Sequence, residues 1–368
     1  MADAPSPIPT PPELTVSPGG GARRPDQVGL FETCFGKSGG EAVLAWRYDR
    51  CPHGLPVELL GEVQGRALAG YACNARRIGF GPDAPTVGQT GDVMSHPDAR
   101  GKGYFMALDR AAMEEARRRG WPLVFGLPNR QSAGIFLEKL GWQGVGRLRP
   151  YTFVLRNGAA ARAERLRAGR LAAWSTPLAF LAGRARRGRL AHGARHWVQE
   201  RVAAFGPWAA ELAAEIARDQ VWMVRRDLDY LAWRYFGGPN AGRFEVLAVR
   251  PEGGAPAGFA VWQKPEAAGG VAFLVDLVAR PGEAERATLA AALEGAHGAG
   301  ACVLRSHAID GSPWQAFLLE NAFQKPKPED EKWIIVHVLD PGHALLPAAL
   351  EPARWFFRDG DRDDELLG

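Results

Sequence analysis

The chain has 368 residues, a net charge of +4 and a hydrophobic fraction of 46%, the composition of an ordinary globular protein of about two to three domains. No run approaches the roughly 20 apolar residues that cross a bilayer, and Met1-Ala2-Asp3-Ala4-Pro5 lacks the basic and apolar regions of a secretory leader. Cys34, Cys51, Cys73 and Cys302 form no Cys-x-x-Cys pair, which argues for reduced thiols and a cytoplasmic chain.

Residues 1–25 are rich in Pro and Gly and read as a disordered tail. A helix is expected from Asp26, carrying Val28, Leu30 and Phe31, and Glu41–Tyr48 follows it. Val57–Leu60 and Arg66–Cys73 read as strands of a meander, and Gly79–Gly91 as a turn-rich connection. Gly91–Ser95 reads as the end of a strand, punctuated by Pro97 and Asp98. Arg100-Gly101-Lys102-Gly103 then opens a helix whose apolar residues Phe105, Leu108, Ala112 and Ala116 share one face. Arg117, Arg118 and Arg119 suit the negative end of its dipole, and Gly120 stops it.

A strand, a glycine-rich turn and a helix N-terminus together make an anion site. Backbone N–H groups are unpaired there, the dipole is positive, and glycines let the backbone approach a diphosphate. The natural guest is a phosphorylated cofactor. Downstream, Leu123–Leu127 is a short apolar strand, Pro128-Asn129 turns, and Ala133, Phe136, Leu137 and Leu140 form a second helical face closed by Gly141-Trp142. Tyr151–Leu155 reads as the last strand of this domain.

The turn Arg100-Gly101-Lys102-Gly103-Tyr104-Phe105 resembles motif A of the GCN5-related N-acetyltransferases (GNATs), which has Arg/Gln-x-x-Gly-x-Gly/Ala around the pyrophosphate of acetyl-CoA. Arg100 and Gly103 match, and Phe105 departs from Gly/Ala. Asn129 followed by Phe136-Leu137-Glu138-Lys139-Leu140-Gly141-Trp142 is similar to motif B of that family. The resemblance implies an N-terminal acetyl-CoA-binding acetyltransferase domain over 26–156. Its acetyl-CoA co-substrate would be held by Val93, Met94, Arg100, Gly101, Lys102, Gly103, Tyr104, Phe105 and Asn129.

Residues 157–220 change character. Between Arg162 and Arg201 lie ten arginines and two acids, Glu164 and Glu200. Gly169, Pro177, Gly183, Gly188 and Gly193 divide the stretch into short helices. A basic face for anionic lipid or nucleic acid is one reading. A helical connector is the favoured one, because base-stacking aromatics are sparse and no nucleic-acid motif occurs.

An internal repeat follows. Leu44-Ala45-Trp46-Arg47-Tyr48 recurs as Leu231-Ala232-Trp233-Arg234-Tyr235, and Ala67–Ala72 as Ala255–Ala260. Asp92–Pro97 recurs as Asp276–Pro281, and Phe136–Gln143 as Phe317–Gln324 with a small shift. Four matches in one order predict an α/β chain of two tandem acetyltransferase-like folds, each a mixed central sheet flanked by helices, joined by the Arg-rich helical connector. The second copy, over 221–345, lacks the anion turn. Glu283 and Glu285 stand at its helix start and would repel a pyrophosphate, so that copy reads as degenerate. Residues 346–368 read as a C-terminal tail, its acids solvated rather than metal-binding.

Acetyl transfer to an amine needs a base, an oxyanion donor and an acid for the leaving thiolate. Asp92 is the candidate base, being on the strand that faces the acetyl group. The resemblance implies an oxyanion donor in the backbone around Val93, Met94 or Ser95, with Ser95 counted as catalytic. The resemblance places a tyrosine acid where this chain has Leu137, leaving Tyr104 or Tyr151 as weaker replacements. His96, Glu62 and Cys73 are secondary candidates, read in preference as a surface histidine, a carboxylate of unassigned register and a buried inert thiol. Trp46, Arg47 and Tyr48 could line the acceptor site, but their recurrence favours a core role. The expected acceptor is a small-molecule amine or sugar-amine, with no membrane span and no nucleic-acid partner. A CoA-binding scaffold, or transfer of a longer acyl or aminoacyl group, is the alternative.

Overall fold

The structure, a computed structural model, describes residues 11–36, 40–81, 83–166, 169–218, 222–325 and 332–362. The first half runs β1 (Thr15–Pro18), α1 (Arg24–Phe35), α2 (Gly40–Leu44) with a π turn at Ala45–Asp49, β2 (Val57–Val63), β3 (Arg66–Arg77), β4 (Thr86–Ser95), α3 (Tyr104–Arg118), β5 (Leu123–Gly126), α4 (Arg130–Lys139) and β6 (Gln143–Val154). The connector holds α5 (Ala159–Leu166), α6 (Arg170–Trp174) and α7 (Thr176–Gly193). The second half runs β7 (Trp197–Arg201), α8 (Pro207–Ala217), β8 (Trp222–Met223), α9 (Leu228–Phe236), β9 (Phe244–Pro251), β10 (Gly258–Gln263), β11 (Val271–Ala279), α10 (Glu283–Gly298), β12 (Val303–Ile309), α11 (Pro313–Glu320) and β13 (Lys332–Val338). It closes with α12 (Leu346–Ala349) and β14 (Trp355–Phe356).

The two copies of the fold form one twelve-stranded mixed sheet, ordered β1-β2-β3-β4-β5-β13-β6-β12-β11-β10-β9-β7. In each half four strands pair antiparallel and the next pairs parallel, β4 with β5 and β11 with β12. The last strands are exchanged: β13 lies between β5 and β6, and β6 lies between β13 and β12. Each half therefore completes its sheet with the other's strand.

One face of the sheet buries α3 and α4 in the first half and α10 and α11 in the second. The other buries α1 and α2, then α8, α9 and Trp355–Phe357. The repeated Leu-Ala-Trp-Arg-Tyr explains the join. Trp46 and Trp233 stack with centroids 4.8 Å apart, and each indole N–H donates to the other's backbone carbonyl, at 2.9 and 2.8 Å. The repeated tryptophan is thus the packing element at the boundary, in keeping with its core reading.

Several boundaries differ from expectation. Residues 15–24 were expected inside a disordered tail, yet β1 pairs with β2 and Arg24 is buried against Glu58 and Asp49. The turn-rich reading of Gly79–Gly91 stops at Thr86, since alternating small residues let β4 pair with β3 over Thr86–Gly91. Helix α7 runs through Gly183 and Gly188 without breaking. Gly183 serves packing, because a β-carbon there would stand 2.8 Å from the Val154 carbonyl. Strand β7 and helix α8, placed in the connector by composition, belong to the second half. Trp355–Arg362 is buried, not a solvated tail.

Candidate active site

Strands β4 and β5 pair only from Gly88–Thr90 to Val124–Gly126. A β-carbon on Gly126 would collide with the Thr90 methyl, so this glycine lets the strands close tightly at their last pair. Beyond it they part. β5 turns into α4, while β4 continues along β3 to Ser95 through a bulge between Gly70 and Ala72. Asp92 sits at that bulge with φ +44°, a backbone conformation rare outside glycine. The result is a wedge, with one edge of residues 91–95 turned toward the space β5 has vacated.

At the wedge's outer end a single 3-10 turn, Pro97–Ala99, leads into α3. Gly101 and Gly103 have φ of +78° and +80°, which glycine adopts without steric cost. Gly103 is the N-cap of the 15-residue helix α3 and has no side chain to accept from its first-turn N–H groups. Arg100 and Lys102 are exposed beside them. Asn129 caps α4 across the wedge. Its Oδ1 accepts from the backbone N–H groups of Gln131 and Ser132, both at 3.0 Å.

The structure brings most of the expected site residues to this wedge, with roles divided between backbone and side chain. Asp92 Oδ2 accepts from Arg47 Nη1 at 2.5 Å and from the Tyr48 hydroxyl at 2.6 Å. Val93 packs toward α3, and Met94 is buried between Gly70 and Leu30, so the wedge sees their backbone alone. The Ser95 backbone hydrogen-bonds the Cys34 thiol, whose pKa burial pushes up. Tyr104 is buried and donates to Glu13 Oε1 at 2.9 Å. Its own backbone, Tyr104 and Lys102 hold the Glu13 carboxyl below its usual range. Phe105 lies edge-on to Phe136 at 5.1 Å and stacks on Tyr71 at 6.5 Å. The large side chain at a Gly/Ala position therefore bridges α3 and α4 as packing.

The secondary candidates lie elsewhere. Glu62 pairs with Arg23 and accepts from Ser17 Oγ at 3.0 Å. His96 Nδ1 accepts from the Asp98 backbone at 3.2 Å, and its other ring nitrogen meets Arg66 at 3.0 Å, the contacts of a surface turn. Cys73 is buried, and Leu137 packs in the α3–α4 core. Tyr151 sits on β6 against β12, donating to Asp310 at 3.3 Å and accepting from Gln315 at 2.5 Å.

Sequence reasoning missed one cluster. Asp109 on α3 is buried beneath the wedge, accepting from the Tyr71 hydroxyl at 2.7 Å and from the Trp142 indole at 3.4 Å. Thr90, the last β4 residue paired to β5, donates its hydroxyl to the Ala72 carbonyl at 3.4 Å. Burial raises the Asp109 carboxyl to about 7, against the pull of Tyr71 and Trp142. Its one legible signal was a carboxylate one turn beyond Phe105, next to Leu108 on the apolar face.

The second half repeats the wedge and fills it. β11 pairs with β12 only over Val271–Phe273, and Asp276 corresponds to Asp92. The Tyr235 hydroxyl donates to Asp276 at 2.7 Å, as Tyr48 does to Asp92. The arginine differs. Arg234, the counterpart of Arg47, donates to the Gly360 carbonyl at 2.6 Å and to the Arg362 carbonyl, and Arg226 takes the carboxylate at 2.9 Å instead. Arg358 reaches Leu277 O on β11 at 3.4 Å and stacks 3.9 Å over Trp314. Asp359 accepts from the His307 N–H on β12 at 2.8 Å. Residues 358–362 thus span the gap between β11 and β12. Gly360 is required there, since a β-carbon would collide with the Tyr235 hydroxyl.

Comparison with known proteins agrees with this geometry. Residues 21–145 match the family model described as an acetyltransferase (GNAT) domain. Among solved structures, a GCN5-related N-acetyltransferase from Anabaena variabilis superposes with a TM-score of 0.61 at 12% identity, covering 89% of this chain and 73% of that one. A probable N-acyltransferase of unknown function from Enterococcus faecalis gives 0.60 at 13% identity, with the same coverage of 89% and 73%. A tandem GNAT protein from the clavulanic acid biosynthesis pathway gives 0.54 at 15% identity, covering 90% of this chain and all of that one. At these identities the likeness is one of fold. No curated protein matches the sequence.

Proposed function

From a chain that carries a GNAT acetyltransferase domain at residues 21–145 within a tandem GNAT fold, we propose an acyltransferase whose first half moves an acetyl group from acetyl-CoA to an amine. The observation that carries this reading is the contrast between the two wedges. Among the described residues the β4–β5 wedge leads to a helix N-terminus with no side-chain cap and two exposed cations, whereas the β11–β12 wedge holds residues 358–362.

In this reading the pyrophosphate sits on the backbone of Gly101–Phe105, with Arg100 and Lys102 adding charge. The pantetheine arm follows the open edge of β4 past Val93 and Met94 toward the bulge, with Asn129 on the far side. The thioester carbonyl meets a backbone N–H at the bulge, which steadies the tetrahedral oxyanion. Asp92 takes the amine proton. Arg47 and Tyr48 hold its Oδ2 and so fix the carboxylate's orientation. The nitrogen then bonds to the acyl carbon, the carbon–sulfur bond breaks, and CoA leaves as the thiolate or takes a proton. Arg47 and Tyr48 support Asp92 from the α2 side as positioning residues.

One observation favours a second reading. The same tyrosine–carboxylate pair stands in the filled half, so the pairing is a packing device of the fold before it is anything else. A CoA-binding protein without turnover would use it so. The two readings part on CoA release measured across a panel of small amines and amino sugars. Asp92→Asn is expected to lower kcat at least about 100-fold while leaving the CoA Kd within about threefold. Wild type that binds CoA but releases no thiol with any amine, and does not hydrolyse it, supports the binding protein and removes the enzyme.

A further inference from the structure

The connector carries most of the large apolar side chains left exposed among the described residues. Among the described residues nine large apolar side chains are exposed, and five belong to α5–α7: Leu171 (84%), Trp174 (81%), Leu178 (69%), Leu181 (56%) and Leu166 (54%). The remaining four, Phe35, Leu55, Phe236 and Leu319, are scattered over separate elements. Isolated exposed leucines need no explanation, but a contiguous group does. From Leu171 the spacing is i, i+3, i+7, i+10, a single stripe along α6 and the start of α7.

The stripe is held outward. The opposite side of α7 buries Thr176, Ala179, Gly183 and Leu190 against α10 and β6, with Gly183 set close to the Val154 carbonyl. Rotating the helix to hide the leucines would open that contact. The rim is cationic. Arg162, Arg170, Arg184 and Arg189 are exposed around the stripe. The one acid between Arg162 and Arg195 is Glu164, and it is drawn inward to Arg305.

We propose that the outward face of α6 and α7 seats on the surface of an anionic lipid bilayer. Leu171, Trp174, Leu178 and Leu181 enter the boundary between headgroups and acyl chains, and the arginines meet the lipid phosphates. Tryptophan, apolar in body with one polar N–H, suits that boundary. The charge pattern chooses this occupant. A second copy docked on the same face would set one arginine rim against another, and nucleic acid would use the rim but leave three leucines in water. The site does not depend on the acyltransferase reading.

The test uses the full chain and vesicles of phosphatidylcholine with or without about 30% phosphatidylglycerol, followed by co-sedimentation and light scattering. Wild type is expected to sediment with the anionic vesicles at about 0.1 M salt and much less at about 0.5 M, and to stay free of the neutral ones. The triple variant Leu171→Ser/Trp174→Ser/Leu178→Ser should lose about 100-fold in partitioning. Arg184→Gln/Arg189→Gln should lose about 20-fold and flatten the salt dependence. Both sets of changes lie on exposed side chains, and an unchanged urea unfolding midpoint checks the fold. No sedimentation of wild type at low salt overturns the proposal, as does equal sedimentation of the triple variant. A dimer that the triple variant turns into a monomer shows that a second copy covers the face instead.

Discussion

Asp109 is a buried carboxyl with no cationic partner at hydrogen-bond distance among the described residues, and its effect on stability has a definite sign. In the unfolded chain it ionises near its ordinary 3.8, whereas burial holds it to about 7 in the folded protein. Between those values the unfolded state has released a proton that the folded state keeps. Stability therefore falls as pH rises from about 4 to about 7 and levels above that. Each tenfold difference in proton affinity is worth about 1.4 kcal/mol, so the contribution lost between pH 5 and pH 8 is about 3 kcal/mol. Asp109→Asn has no proton to release. Urea unfolding of both proteins across that range isolates the residue, because His53 and His337, which burial keeps neutral, are common to the two. The wild-type free energy should drop by about 3 kcal/mol relative to the variant from pH 5 to pH 8. A difference independent of pH would refute an uncharged Asp109 beneath the wedge.

Three further outcomes follow from the same contacts. Glu13→Gln removes a negative charge from the mouth of the anion turn, so acetyl-CoA should bind about twofold to fivefold more tightly at low salt, with the gain shrinking as salt is added. Trp233→Ala removes a buried ring, its stack on Trp46 and a hydrogen bond, at a cost of about 3–5 kcal/mol in denaturant unfolding. Because the exchanged strands tie the halves together, one transition is expected, not two. Gly360→Ala forces a methyl toward the Tyr235 hydroxyl and Asp276, costing about 1–3 kcal/mol as overpacking. A thermal midpoint equal to wild type would show that the tail does not sit in the second wedge.

Much of the fold was legible because its signals are local or repeated. The turn at Gly101–Gly103 is set by glycines with positive φ, and α3 by apolar spacing, so both stand where the pattern puts them. The repeat gave the pairing of halves because Trp46 and Trp233 do the same packing work. The strand exchange was not legible: β6 and β13 have ordinary strand patterns, and nothing local says which half's sheet receives them. The tail was misread for a similar reason. Arg358-Asp359-Gly360-Asp361-Arg362 looks solvated until Arg226, Arg234 and His307 arrive from distant sequence to neutralise it. Asp109 escaped notice because one carboxylate on an amphipathic helix is most often at its edge, and its burial depends on Tyr71 and Trp142.

A calorimetric titration with acetyl-CoA tests most directly the claim that one wedge is a cofactor site and the other is filled. It should be run on wild type, on Lys102→Glu, which reverses an exposed charge, and on Gly103→Glu. One equivalent per chain is expected for wild type, with binding weakened about tenfold or more by either glutamate. Two equivalents would contradict the filled second wedge. No binding, or binding indifferent to both substitutions, would contradict the site at the N-terminus of α3.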